Sequence, residues 1–191
     1  MKIAFVLFCL SLAPPVWGGE LFREANSPNE KMLSDIQKEN APSNNKELAG
    51  FRGIAWGTSL QSISGLTEIK SGSSDVKEYT RNADEMQLGG AKLDRIIYRF
   101  WNDQFFEVSL QTTGVINIQE LKNVTFQKFG RMTQPNQFLE DYIKTMRTTQ
   151  IFLLCPPVTD AAFLTIRYRP LQKLREKAAK ARAQEGADNG F

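Results

Sequence analysis

One stretch of the chain has the residue types of a nucleophile and its base. Residues 74–77 read S-D-V-K and match the S-x-x-K pattern, in which a serine attacks and a lysine one helical turn later takes its proton. Here the pattern lies in the serine- and glycine-rich stretch SGSSDVKEY, and neither S-D-N nor K-T-G follows it. The sequence therefore does not support a serine nucleophile at this position.

Carboxylates and one cysteine are the other groups that could act as acid, base or nucleophile. A carboxylate-based hydrolase needs two facing carboxylates, and Glu68 with Glu78 is one pair that the sequence offers without selecting it over others. Cys155 lies in an apolar run, which predicts a small buried hydrophobe rather than a reactive thiol. The chain has no histidine, which excludes His-based triads and the usual zinc sites. We expect no metal site and no cofactor.

The first residues have the composition of a secretory signal peptide. Lys2 supplies a positive start, residues 3–13 carry no charge, and Val16 and Gly18 suit the small positions before a cleavage site. The uncharged run is shorter than the roughly 20 apolar residues that a membrane-spanning helix needs. We therefore expect residues 1–18 to be removed and the mature protein to be soluble, in the periplasm or secreted.

Composition divides the remaining chain into three parts. Residues 19–47 are rich in Asn, Glu, Lys, Ser and Pro and are predicted to form a polar tether. Residues 48–170 hold nearly all the aromatic and β-branched residues and are predicted to form the folded domain. Residues 171–191 are predicted to be a charged helix with a polar tail.

Turn and cap signals predict the fold class of the domain. Thr58 with Gln61 fits a capping box that opens a short helix ending at Gly65, and a second box at Asn117 opens a helix that ends before Gly130. Hairpin signals lie between and after them. The sequence therefore predicts an α+β fold, an antiparallel meander sheet of about six or seven strands with two capped helices packed on it. The repeated order of capped helix, glycine and strands is also typical of a duplicated αβ-meander.

The stretch IIYRFWNDQFFEV is predicted to be a hairpin with a three-residue loop over 102–104. A two-residue turn would set polar against apolar side chains and lose an apolar face. The predicted pairs are Trp101 with Phe105, Phe100 with Phe106, Arg99 with Glu107, Tyr98 with Val108 and Ile96 with Leu110. The predicted core side chains are Ile96, Tyr98, Phe100, Phe106, Val108 and Leu110.

This register also predicts a binding surface. Trp101 and Phe105 would lie on the face opposite the core, with Arg99 nearby. Exposed aromatic pairs often mark recognition surfaces, so Arg99, Trp101 and Phe105 are the predicted binding residues. The alternative is that a neighbouring strand, the tether or the final helix covers them.

The final helix carries a narrow apolar stripe. Leu171, Leu174, Ala178 and Ala181 recur at spacings of three and four, and basic residues cover the remaining surface. Only two of the four are large, fewer than a helix seated in a membrane normally uses. We expect the helix to pack by its first turn and to make at most a weak, salt-sensitive contact with an anionic surface.

The order of these motifs resembles a group of uncharacterised exported bacterial proteins. The resemblance rests on the F-R-G-I-x-W-G opening, the G-G hairpin, IIYRFWNDQFFEV, the helix ending KFG, and QPNQF, and it covers roughly residues 51–170. It implies a location in the cell envelope or periplasm. It implies no activity and no functional residue.

Two classes of function remain open. The first is a non-catalytic binding or structural module of the cell envelope, whose partner is a protein, a glycan or a lipid. The second is a carboxylate-based hydrolase that acts on the cell wall or another extracellular polymer. The absence of a recognisable constellation of catalytic residues favours the binding module. Nucleic acid is not an expected partner for an exported protein.

Overall fold

The computed structural model describes residues 47–69 and 75–188. The predicted signal peptide, nearly all of the predicted tether and the serine of the S-x-x-K pattern lie outside these residues. No helix among the described residues is long and apolar enough to cross a membrane.

The strands are β1 Gly50–Phe51, β2 Ile54–Ala55, β3 Leu66–Ile69, β4 Val76–Arg81, β5 Gln87–Leu88, β6 Ala91–Lys92, β7 Arg95–Trp101, β8 Gln104–Thr113, β9 Glu140–Thr145, β10 Thr149–Cys155 and β11 Ala161–Tyr168. The helices are a 3-10 turn at Leu60–Ser62, α1 at Val115–Phe129 and α2 at Arg169–Asp188.

Seven of the strands form one antiparallel sheet, which confirms the predicted α+β class. Their order is β3-β4-β7-β8-β11-β10-β9, so two meanders meet where β8 pairs with β11. Two short hairpins, β1-β2 and β5-β6, stand apart from this sheet. The second of them turns at Gly89 and Gly90, as predicted. A duplication of the two meanders is not evident from the structure.

The main core lies on the face of the sheet that α1 covers. Leu121 and Phe129 of α1 join it, together with side chains from β4, β7, β8, β10 and β11. Burying each large apolar side chain there contributes about 1.5–3 kcal/mol. The predicted core members that lie in this cluster are Ile96, Tyr98, Phe100, Val108 and Leu110.

The hairpin of β7 and β8 differs from the predicted register near its turn. Asn102 and Asp103 have φ values of 48° and 57°, the left-handed conformation that a two-residue hairpin turn requires. Phe100 therefore pairs with Phe105 rather than with Phe106. A β-bulge inserts Phe106 as an extra residue and restores the predicted pairs beyond it, Arg99 with Glu107, Tyr98 with Val108 and Ile96 with Leu110.

The bulge exchanges the faces of two phenylalanines. Phe105 is fully buried in the main core, where its ring lies 4.8 Å from that of Trp56. Phe106 points to the other side and packs with Val76 and Trp101 in a second, smaller cluster. The prediction that Phe106 belongs to the main core was therefore wrong.

The predicted capping boxes were also wrong. The first predicted helix is only the 3-10 turn at Leu60–Ser62, and its cap residue Ser59 makes no side-chain cap bond. The second helix begins at Val115, after Gly114, so that Asn117 lies inside its first turn. The side chain of Asn117 instead donates to the carbonyl of Thr113 and accepts from the backbone N–H of Lys92. This helix ends at Gly130, whose φ is 66°, as predicted.

The C-terminal helix α2 packs on the other face of the sheet, at the end near the β7-β8 turn. Leu171 is buried in the second cluster, and Ala178 is partly buried against the same cluster. Arg175 donates to Asp75 through two nitrogen atoms, at 3.0 and 3.2 Å. Leu174 is 54% exposed and Ala181 is also exposed, so only two of the four residues of the predicted apolar stripe pack against the sheet. The helix starts two residues before the predicted position.

Candidate functional site

Part of the sheet face that carries α2 holds apolar side chains that belong to neither buried cluster. Directly opposed residues of an antiparallel sheet point to the same side, and the pairings place one row of side chains across five strands. That row consists of Ile97, Ser109, Thr165, Phe152 and Ile143. In a neighbouring row, Phe163 of β11 pairs with Leu154 of β10. We call the five apolar members the open face: Ile97, Ile143, Phe152, Leu154 and Phe163.

The exposure of the open face is intermediate rather than complete. Leu154 is 37% exposed, and the other four side chains are partly exposed. The hydroxyl groups of Ser109 and Thr165 lie between them and are 3.3 Å apart, within hydrogen-bonding distance of each other. The polar atoms in the middle of this surface thus satisfy one another. The open face would therefore contact a ligand mainly through apolar side chains.

A row of alternating charges separates the open face from the cluster under α2. Arg99 donates to Glu78 at 2.7 Å and to Glu107 at 2.6 Å, and Arg167 donates to the other oxygen of Glu107. Only 5% of the Glu107 side chain is exposed, so this carboxylate depends on its two arginine partners. Burial acts to lower the pKa of Arg99, but its bonds to Glu78 and Glu107 outweigh burial and raise that pKa.

The charged row also touches the open face. The guanidinium carbon of Arg167 lies 5.2 Å from the ring centroid of Phe152, a cation–π contact. Arg167 is itself bound to the buried Glu107. The ion-pair row therefore contacts the open face through the ring of Phe152.

Further exposed apolar residues lie at the end of the sheet remote from α2. Val115 and Ile116, at the start of α1, are 78% and 80% exposed, and Val158 in the β10-β11 turn is 91% exposed. The two segments are joined by a bond from the N–H of Gly114 to the carbonyl of Asp160. Leu154 and Phe163 of the open face lie in the two strands that this turn joins.

The predicted binding residues do not form an exposed patch. Phe105 is fully buried in the main core, and Trp101 is 7% exposed in the cluster under α2. Arg99 lies in the charged row, with only a quarter of its side chain exposed. The prediction of an exposed pair was wrong because the bulge turns Phe105 inward and α2 covers Trp101. The alternative, in which the final helix is the cover, holds for Trp101.

The described residues offer little for catalysis or metal binding. Glu68 pairs with Tyr79 and Glu78 pairs with Ile69, so these two carboxylates point to opposite faces of the sheet and cannot act as a pair. Within residues 47–69 and 75–188, no group of three or more potential ligands could hold a metal ion. Cys155 is buried, and burial raises the pKa of its thiol to about 11.

A signal for the open face was present in the sequence. Phe152 and Leu154 alternate with the buried residues of β10, and Ile97 alternates with those of β7. Apolar residues on both faces of a strand indicate burial on both sides or a surface that binds something. The apolar run that ends at Cys155 predicted only that this residue is buried, so the second face of the strand was not considered.

Comparisons with protein-family models, with curated proteins and with solved structures find no match. The fold and the open face therefore rest on the geometry of this chain alone.

Proposed function

We propose that this protein is an exported, non-catalytic binding module of the cell envelope whose open face binds an apolar surface of a partner protein. The observation that carries the proposal is the set of five partly exposed apolar side chains of the open face, which lie on four strands of the sheet. Contiguous exposed apolar surface on a soluble domain is typical of sites of protein–protein contact. Export is inferred from the composition of residues 1–18 and from the resemblance to exported bacterial proteins.

The chemistry of the surface favours a protein over a lipid or a glycan. An anionic membrane requires a local excess of basic groups, whereas Arg95 and Asp141, in the row of Leu154 and Phe163, carry opposite charges. A glycan requires polar groups free to converge on it, whereas Ser109 and Thr165 lie within bonding distance of each other. Aliphatic and phenyl side chains beside a rim of paired charges fit the usual composition of a protein interface.

Site-specific photo-crosslinking in the native envelope tests the proposal. A photoreactive phenylalanine analogue replaces Phe163 on the open face, and a matched control carries it at Gln127, an exposed position on α1. We expect one protein adduct at position 163 that is absent at position 127. The captured protein, once identified and purified, should bind the mature chain in isolation.

Three outcomes would contradict the proposal. The first is the same set of adducts at both positions, which would indicate chance encounters. The second is an adduct with residues 19–46 of the same chain, because an internal segment would then cover the open face. The third is an adduct with lipid or glycan alone.

A further inference from the structure

A second hollow lies beside the edge of the sheet at β3 and β4, and it shares no lining residue with the open face. Its volume is about 490 Å³, and the 3-10 turn, the β1-β2 turn and the end of β4 form its walls. We call it the β3-β4 cleft. The polar side chains that line it belong to Thr58, Ser62, Ser64, Arg81 and Asn82.

Arg81 is held rigidly in the cleft. Its guanidinium group contacts the same oxygen of Asp84 through two nitrogens, at 2.6 and 2.7 Å, and it lies 5.6 Å from the ring centroid of Tyr98. Only 3% of the Asp84 side chain is exposed, and its second oxygen accepts a 2.5 Å bond from the hydroxyl of Tyr98. A buried carboxylate that is itself anchored thus fixes the position of the arginine at the wall.

The cluster around Asp84 contains more positive than negative charge. The guanidinium of Arg52 also approaches Asp84, at 3.8 Å, and donates to the carbonyl of Gln87. Two guanidinium groups therefore share one buried carboxylate. The Nη1 atom of Arg52 is buried without a hydrogen-bond partner among the described residues. Both arginine side chains are partly exposed, at 18% and 24%, so an anion that reaches them from solvent would compensate the excess positive charge.

The remaining wall of the cleft supplies hydrogen-bond donors. The hydroxyl groups of Thr58, Ser62 and Ser64 make no side-chain bond to any residue that the structure describes. Asn82 accepts a bond from Thr67 through its amide oxygen, which leaves its NH₂ group to donate. An arginine beside several hydroxyl and amide donors is the arrangement that binds carboxylates and phosphates.

The backbone around the cleft turns sharply at two places. Arg52 and Ala83 have φ values of 45° and 59°, a left-handed conformation that non-glycine residues seldom adopt. Gly53 and Gly65, which line the cleft, have φ values of 79° and 74°. Arg52 and Gly53 form the two-residue turn of the β1-β2 hairpin, which requires this conformation, so these turns shape the wall of the cleft without marking it as a ligand site.

We propose that the β3-β4 cleft binds a small ligand through an oxyanion, either a carboxylate or a phosphate group. Arg81 supplies the charge, and the hydroxyl wall supplies further donors. The ligand would offset the positive charge that Arg52 and Arg81 share around Asp84. This proposal does not depend on the function of the open face.

Amide NMR on the folded mature chain, residues 19–191, tests the proposal. The protein is titrated with sodium phosphate, sodium acetate or sodium chloride at equal ionic strength. We expect saturable shifts at Gly65, Asn82 and Ala83 with phosphate or acetate and no such shifts with chloride. Saturation by only one of the two anions identifies the ligand group as a phosphate or a carboxylate.

Variants of the cleft residues, and one control outside the cleft, show whether the anion binds there. Arg81→Gln should abolish the saturable shifts, but it also removes a partner of Asp84 and can weaken the fold. The double variant Ser62→Ala and Ser64→Ala leaves that pair intact and should weaken anion binding by about tenfold or more, because it removes two hydrogen bonds to a charged group. Lys77 lies outside the cleft, in an exposed ion pair with Asp103. The Lys77→Gln variant is therefore the control and should bind the anions with the affinity of the wild type. Anion shifts no larger than those with chloride, or unchanged affinity in the double serine variant, would overturn the proposal.

Discussion

Arg99 donates to Glu107 over 2.6 Å, and this ion pair stands between the covered and the open part of one sheet face. On one side of it, α2 covers Trp101 and Phe106. On the other side, Ile97 and Phe152 are partly exposed, and no buried cluster of the described residues includes them. The charged row thus sets the limit to which α2 covers the sheet.

The first prediction concerns the buried carboxylate of this row. Glu107→Gln removes the charge that Arg99 and Arg167 share, which leaves two guanidinium groups with reduced compensation. We expect a loss of about 2–3 kcal/mol in the free energy of unfolding, below the full value for a buried pair because both arginines are partly exposed. Urea titration measures the loss. Glu78→Gln, at the outer end of the row, is the control and should cost about 1 kcal/mol or less. Equal losses in the two variants would mean that Glu107 is not the centre of the row.

The second prediction tests the bulge. Phe106 and Leu171 share the cluster under α2, whereas Phe105 lies in the main core. Phe106→Ala and Leu171→Ala should therefore be non-additive, with a coupling of about 0.5–3 kcal/mol. The matched pair Phe105→Ala and Leu171→Ala should be additive within about 0.5 kcal/mol. Double-mutant cycles in urea measure both. The reverse pattern would restore the register with a three-residue loop.

The third prediction is a dependence of stability on pH that arises from Glu47. Burial acts to raise the pKa of this carboxyl, but bonds from Thr148 and Thr149 outweigh it and lower the pKa below 4.5. A lowered pKa gives stability that is present above about pH 4.5 and is lost as pH falls through the folded-state value. Glu47→Gln should therefore be less stable than the wild type at pH 7, and the difference in stability should be smaller at pH 3.

Urea midpoints at the two pH values measure this difference. Glu85→Gln, at an exposed position, serves as the control and should leave the midpoints unchanged at both. A difference for Glu47→Gln that is as large at acid pH as at neutral pH would show that the Thr148 and Thr149 bonds do not depend on the charge of the carboxyl.

The fourth prediction concerns the thiol of Cys155. Burial raises its pKa to about 11, so almost none is in the reactive thiolate form near neutral pH. In the folded mature chain, a thiol reagent at pH 8 should react with Cys155 only on the timescale of unfolding. The same reagent should titrate one thiol at once in urea. Complete reaction within seconds under native conditions would show that the strand opens readily at this position.

The alternation of apolar residues predicted much of the core, because period-two spacing alone places Ile96, Tyr98, Val108 and Leu110 on one face. It failed at Phe105 and Phe106 because the bulge follows from the left-handed turn at Asn102 and Asp103. Asn and Asp tolerate that conformation, but periodicity does not report it. Periodicity favours the three-residue loop because a two-residue turn without a bulge would set polar against apolar side chains.

The position of α2 was less accessible to sequence reasoning. Good helix formers and Pro170 predicted that the helix exists. Packing through Leu171 in the first turn was expected, but the ion pair of Arg175 with Asp75 joins residues 100 apart, and nothing local marks such a pair. Without that contact, Trp101 was assigned to an exposed surface, and the open face on the neighbouring strands was overlooked.

A titration with the partner protein captured at position 163 tests the central claim most directly. Isothermal calorimetry compares the mature wild type with Phe163→Asp on the open face and with Gln127→Glu on α1, after melting curves confirm that all three are folded. We predict saturable binding by the wild type, unchanged affinity in Gln127→Glu, and affinity about tenfold or more weaker in Phe163→Asp, because a charge placed in an apolar contact opposes binding. Equal affinity in all three proteins would contradict the claim that the open face is the binding site.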